Sequence, residues 1–134
     1  MQEGKMTEEN LGESLYNLLA ELWNCRQNRK VLDSIRGEYG VLRYLAYVED
    51  RVSAGRLTEQ LHVVPGRMTD ILNSLENKDL VERWADHEDR RRVRVCITPK
   101  GKTQAKKLRE EISKEYQGMF QVLGREDTLQ LIRL

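Results

Sequence analysis

A chain of 134 residues has room for one modest hydrophobic core, and 34% charged against 6% aromatic residues fits a helix-rich soluble protein. A net charge of +1 does not announce a nucleic-acid partner, so the placement of the 23 basic and 22 acidic residues has to decide. Two distant cysteines exclude a disulfide framework, no run approaches the ~18 apolar residues that span a bilayer, and acids stand where a secretion signal carries its basic flank, so a reduced, cytoplasmic setting without membrane attachment is expected.

From Thr7 to about Leu32, apolar residues fall at Leu11, Leu15, Leu18, Leu19, Leu22 and Cys25, the spacing of one helix face, with Thr7 or Asn10 as N-cap. A second helix is expected over Ile35 to Arg51, burying Tyr39, Leu42, Leu45, Ala46 and Val48, with Ser53-Ala54-Gly55 breaking the pattern. Thr58 can cap a short helix from Glu59 to Val63, and Pro65 suits the first turn of the next helix, which buries Met68, Ile71, Leu72 and Leu75 and stops near Asn77-Lys78-Asp79. Leu80 to Ala85 and Arg92 to Thr98 read as two strands, Val93, Val95 and Ile97 alternating with Arg92, Arg94 and Cys96 in the second. Pro99 and Gly101 open a long polar helix through about Gln117, with Ala105, Leu108, Ile112, Tyr116 and Met119 as its apolar positions, and Gly124 separates a last helix from Glu126 to Leu134.

The fold expected is mainly α: a winged helix-turn-helix at 35–99, its wing a two-stranded hairpin, flanked by an N-terminal helix at 1–34 and C-terminal helices at 100–134, all in one compact domain. The apolar stripes of the terminal helices lack an obvious partner within such a core, which suggests a second subunit and a role in dimerisation.

Chemistry concentrates in the middle third. Between Arg51 and Lys102 there are 11 basic against 8 acidic residues, and four arginines fall between Arg90 and Arg94. The second helix of the pair carries Gly66, Arg67, Thr69, Asp70, Asn73 and Ser74 opposite its apolar face. Arg reaches guanine N7 and O6, Asn pairs with adenine N7 and N6, and a Thr methyl touches a thymine methyl. Arg67 and Asn73 are thus the leading base readers, Thr69 and Ser74 secondary, and Thr58 and Gly66 phosphate contacts, Gly66 because it lets phosphate approach a helix N-terminus. In the hairpin tip, Asp86 or Asp89 is expected to pair an arginine and stiffen the loop, while Arg90 or Arg91 enters a minor groove. Arg92 and His87 complete the wing-tip contacts. A solvated helix face and a salt-bridged surface turn are the bland alternatives. The competing function is a winged-helix protein–protein interaction module without a specific DNA site, which calls for an apolar patch over Gly66–Ser74 where polar residues stand.

Leu57-Thr58-Glu59-Gln60-Leu61, Leu75-Glu76-Asn77-Lys78-Asp79-Leu80-Val81-Glu82-Arg83, Asp86-His87-Glu88-Asp89-Arg90-Arg91 and Ile97-Thr98-Pro99-Lys100-Gly101-Lys102 resemble the MarR family of bacterial winged-helix transcriptional regulators. The resemblance implies a homodimer joined by its terminal helices, binding double-stranded DNA at a pseudo-palindromic operator. Recognition helices would lie in major grooves and wings in flanking minor grooves. It further implies repression, often relieved by a small-molecule effector or an oxidant. The chain departs from the family pattern at Val64-Pro65-Gly66, where a Ser or Thr is usual, and at Asp79, where glycine is usual, so a left-handed turn must be made by Lys78 or Asp79. Tyr16, Trp23, Tyr39, Tyr44 and Tyr47 lie on helices that, by the resemblance, wall an effector cleft, of which Tyr16, Trp23, Tyr39 and Tyr44 are the candidates. Cys25 does not match the family's peroxide-sensing position and reads as a structural thiol, and Cys96 is assigned no role. No cofactor, metal set or catalytic constellation is expected: His62 and His87 have no second ligand at metal spacing.

Overall fold

The computed structural model describes residues 7–24 and 35–134, which fall into two compact units, 1–32 and 33–134. In the first, α1 (Glu8–Asn24) starts as expected at Thr7, whose Oγ1 accepts from the Asn10 amide at 3.4 Å. Its stripe residues Leu11, Leu15, Leu18 and Leu19 are exposed. The expected continuation to Leu32, Cys25 included, lies outside the described residues, as does the side chain of Trp23.

The second unit begins with α2 (Glu38–Tyr47), shorter at both ends than the periodicity predicts. Leu42 and Leu45 are buried as expected, but Val41 and Tyr44 are buried with them, while Tyr39 and Val48 lie at the surface. Val41, Leu42, Tyr44 and Leu45 supply the inward face; Tyr39 falls off it, and Val48 is the C-cap, past the last helical residue. A two-residue strand follows, β1 (Val52–Ser53). Then comes α3 (Ala54–Leu61), where sequence reading places a break and a helix only from Glu59. Ser53 explains the difference: its Oγ accepts from the Arg56 amide at 3.1 Å, so Ser53 caps the helix, and Gly55 is tolerated in its first turn. Thr58 is therefore not a cap. It sits mid-helix, and its hydroxyl donates to the Ala54 carbonyl at 2.9 Å. Replacing Ser53 with alanine is expected to cost ~1 kcal/mol of stability, read as a lower urea midpoint at unchanged slope.

After a left-handed His62 (φ 53°), α4 (Pro65–Asn77) runs as predicted, with Pro65 in its first turn and Met68, Ile71, Leu72 and Leu75 buried. The residue that turns the chain out of α4 is Asp79 (φ 59°), one of the two expected there. The hairpin of β2 (Val81–Ala85) and β3 (Val93–Ile97) is antiparallel, pairing Val81 with Ile97 and Ala85 with Val93. Sequence reading missed its third strand: β1 pairs with β3 through Val52–Val95 and Ser53–Arg94, so the sheet order is β1-β3-β2.

The last element is α5 (Pro99–Arg133), helical past Gln117 and broken in dihedral angles at Gly124 (φ 80°, ψ 169°), the residue expected to divide it. Ala105 is buried and Leu108 and Ile112 half-buried, whereas Tyr116, Leu129, Leu131 and Ile132 are exposed. The core is one cluster in which Leu42, Leu57, Met68, Leu72, Leu75, Val81 and Val95 from α2, α3, α4 and the sheet are almost completely buried. It sets α4 against the base of the hairpin. No helix among the described residues is long and apolar enough to cross a membrane.

Candidate nucleic-acid interface

Burial of Met68, Ile71, Leu72 and Leu75 turns the opposite face of α4 outward, so Arg67, Thr69, Asp70 and Asn73 are exposed and Ser74 half-exposed. Two of these side chains are already engaged. The Thr69 hydroxyl donates to the Pro65 carbonyl at 3.1 Å. Asn73 accepts through Oδ1 from Arg83 Nη2 at 2.7 Å. Arg67 has no hydrogen bond or ion pair among the described residues. At the helix N-terminus, a Cβ added to Gly66 meets nothing within 4 Å, so no neighbour in the fold calls for glycine there. Thr58 is half-buried behind this face, its hydroxyl committed to α3.

The wing is held from its root. Asp86 accepts from the Glu88 amide through Oδ1 at 3.2 Å and pairs through Oδ2 with Arg94 Nε at 3.0 Å. Together the amide and the guanidinium hold its carboxyl below the usual carboxylate range. Arg94 also donates to the Arg51 carbonyl at 3.1 Å, and Asp50 Oδ1 accepts from the Ile97 amide at 3.0 Å. The stiffening arginine is thus Arg94, a strand residue, and not one of the tip arginines. At the tip, Asp89 works through backbone groups: its carboxylate accepts from the Arg91 amide at 3.0 Å and its carbonyl from the Arg92 amide at 2.9 Å. Fixed from below and turned by Asp89, the loop leaves His87, Arg90, Arg91 and Arg92 exposed. The side chains of Arg90 and Arg91 have no hydrogen bond or ion pair among the described residues.

One participant was not legible in the sequence. Arg83, half-buried on β2, donates from Nε to Glu76 Oε2 at 2.9 Å and from Nη2 to both Glu76 Oε1 and Asn73. Its hydrogen bonds hold the Glu76 carboxyl below the usual range. A strand arginine seven to ten residues from its partners leaves no local pattern to find.

The aromatic candidates for an effector cleft do not behave alike. Tyr44 is a core residue, 5% exposed, with its hydroxyl donating to Glu49 at 3.4 Å. Tyr39 and Tyr16 lie at the surface, at 37% and 72% exposure. Tyr47, at the end of α2, lies under the Arg109 guanidinium, 4.3 Å from its ring centroid, beside an open groove lined by Lys106, Ser113 and Gln117. Cys96 is half-buried, and burial pushes its thiol pKa up, which disfavours the reactive thiolate.

Residues 36–93 match the MarR family. The HTH-type transcriptional regulator FarR of Neisseria gonorrhoeae is 35% identical over 75 residues, a stretch that is 56% of this chain and 51% of that protein. The match thus spans about half the length of that curated relative. Among solved structures, a transcriptional regulator at 27% identity superposes with a TM-score of 0.70 over 90% of each chain. S. aureus MepR in complex with DNA superposes with a TM-score of 0.68 at 19% identity, again over 90% of each chain, a likeness of fold.

Proposed function

We propose that this chain is a transcriptional regulator of the MarR type, which its residues 36–93 match, and that it binds double-stranded DNA as a homodimer and represses transcription from an inverted-repeat operator. The observation that carries the reading is a polar helix face beside a braced hairpin whose outermost arginines are uncommitted. Arg67 and Asn73 read base edges from α4, with Thr69 and Ser74 beside them. Gly66 admits a phosphate, Thr58 stands behind as a secondary contact, and Arg90 and Arg91 enter the minor groove with His87 and Arg92 at the backbone. The exposed stripe of α1 and the exposed apolar residues at the far end of α5 join two copies. Occupied half-sites then lie one helical turn apart, ~34–36 Å. A small molecule that binds beside Tyr39 or Tyr47 lowers operator affinity.

Titration against random duplex at several salt concentrations, followed by selection from a random pool, tests this. A log–log salt slope of about −0.9 per phosphate contacted, and recovery of an inverted repeat, are expected. Absence of salt-sensitive association would transfer the chain to the protein-interaction class. Gly66 gives a sharper check. Gly66→Ala is expected to raise stability by ~0.5–1 kcal/mol, the ordinary helical gain, yet to weaken DNA binding by ~1 kcal/mol if a phosphate meets the helix amides there. Stability by denaturation and affinity by anisotropy then move in opposite directions.

A further inference from the structure

Base reading by an asparagine depends on which end of its amide faces the DNA. An Asn free to rotate offers both its oxygen and its NH2, and adenine takes both at once through N6 and N7. Asn73 is not free. Arg83 reaches it from β2, whose alternation turns Arg83 toward the helices with the buried Val81 while Glu82 and Trp84 face solvent. The guanidinium is itself anchored in a fork on Glu76, at 2.9 Å and 3.3 Å, and its Nη2 lies 2.7 Å from Asn73 Oδ1. Asn73 and Glu76 are three residues apart and so share one side of α4. Because a guanidinium has donors and no acceptor, only the oxygen of Asn73 can face it, and the NH2 is turned the other way.

We infer that Arg83 is the positioning residue of base reading: it holds the Asn73 amide so that α4 presents NH2 donors to the major groove. Asn73 then selects a base by an acceptor, such as guanine O6 or N7 or thymine O4, in preference to the two-ended adenine contact. Glu76 takes part by anchoring the fork, and its charge is balanced by Arg83, which keeps a carboxylate beside the DNA face from repelling phosphate.

This inference rests on the DNA-reading function proposed above, and one experiment separates the two. Bound duplexes are selected from a random pool with the wild-type protein, Asn73→Ala, Arg83→Lys and Glu76→Gln, each checked for folding by thermal melting. Lysine keeps the positive charge but lacks the forked geometry, and Glu76→Gln loosens the anchor at an exposed site. The base position that Asn73→Ala relaxes is expected to relax in Arg83→Lys and, more weakly, in Glu76→Gln, shifting toward adenine. The other positions stay unchanged, and affinity for the wild-type sequence falls about tenfold in Arg83→Lys. If the wild type recovers a motif and that position is unaltered in Arg83→Lys and Glu76→Gln, or every position weakens alike, the positioning role is overturned and DNA reading stands. If the wild type recovers no motif, the reading function falls and the inference with it.

Discussion

Gly101→Ala is expected to destabilise the protein by ~1–3 kcal/mol, the cost of forcing extra atoms into a packed site, where glycine-to-alanine within a helix ordinarily stabilises by ~0.5–1 kcal/mol. Gly101 lies buried in the first turn of α5, where a Cβ would collide with the Leu80 carbonyl oxygen and come within 2.7 Å of Ile97 Cγ1. That carbonyl cannot retreat easily, because it accepts from the Thr98 amide at 3.1 Å. Thr98 closes the same junction from its side chain: its hydroxyl donates to the Asp79 carbonyl at 2.6 Å and accepts from the Gly101 amide at 3.0 Å. Lys100 adds a bond to the Lys78 carbonyl at 3.0 Å. The left-handed turn at Asp79, the start of β2 and the start of α5 thus meet at one point, with glycine as the spacer. Urea denaturation of Gly101→Ala beside Gly66→Ala provides the comparison. Equal signs for the two substitutions would show that the approach of α5 to Leu80 is not a constraint.

The same junction shows what sequence reading could reach. Pro65, the apolar spacing from Met68 to Leu75 and the alternation through Val93, Val95 and Ile97 are local patterns, and α4 and the wing follow them. The left-handed residue at Lys78 or Asp79 was implied by the resemblance rather than by a local pattern, and Asp79 supplies it. Features that depend on distant partners left no such trace. Two residues of β1 are a strand only because β3 lies beside them, 41 and 43 positions along the chain in the pairings Ser53–Arg94 and Val52–Val95. Ser53 therefore read as a breaker, although its hydroxyl starts α3. Tyr44 read as a pocket residue because aromatic spacing does not tell a cleft wall from a core, and burial places it in the core. The expected pairing of Asp86 with an arginine could not be assigned to one of them from sequence, and strand geometry brings Arg94 to it. At the interface, residue types were legible and their mutual restraint was not, which is why Asn73 was seen without Arg83.

Arg90→Ala and Arg91→Ala are each expected to weaken binding to the selected duplex by ~1–3 kcal/mol, while folding stability stays within ±0.5 kcal/mol, as for surface substitutions away from packed features. The separation follows from how the hairpin is built. Its shape depends on Asp86, Arg94 and the backbone bonds around Asp89, none of which uses a tip guanidinium as a partner. Removing Arg90 or Arg91 therefore takes away contacts to DNA and nothing that holds the loop. Lysine at either position distinguishes charge from shape. An ammonium preserves the attraction to phosphate, and so the salt dependence, but is more strongly hydrated and lacks the planar fork that suits a narrow minor groove. Arg90→Lys and Arg91→Lys should thus recover the salt slope of the wild type without its full affinity, whereas each alanine variant lowers the slope by about one. Wild-type affinity in both alanine variants would remove the wing from recognition and leave α4 to bind alone.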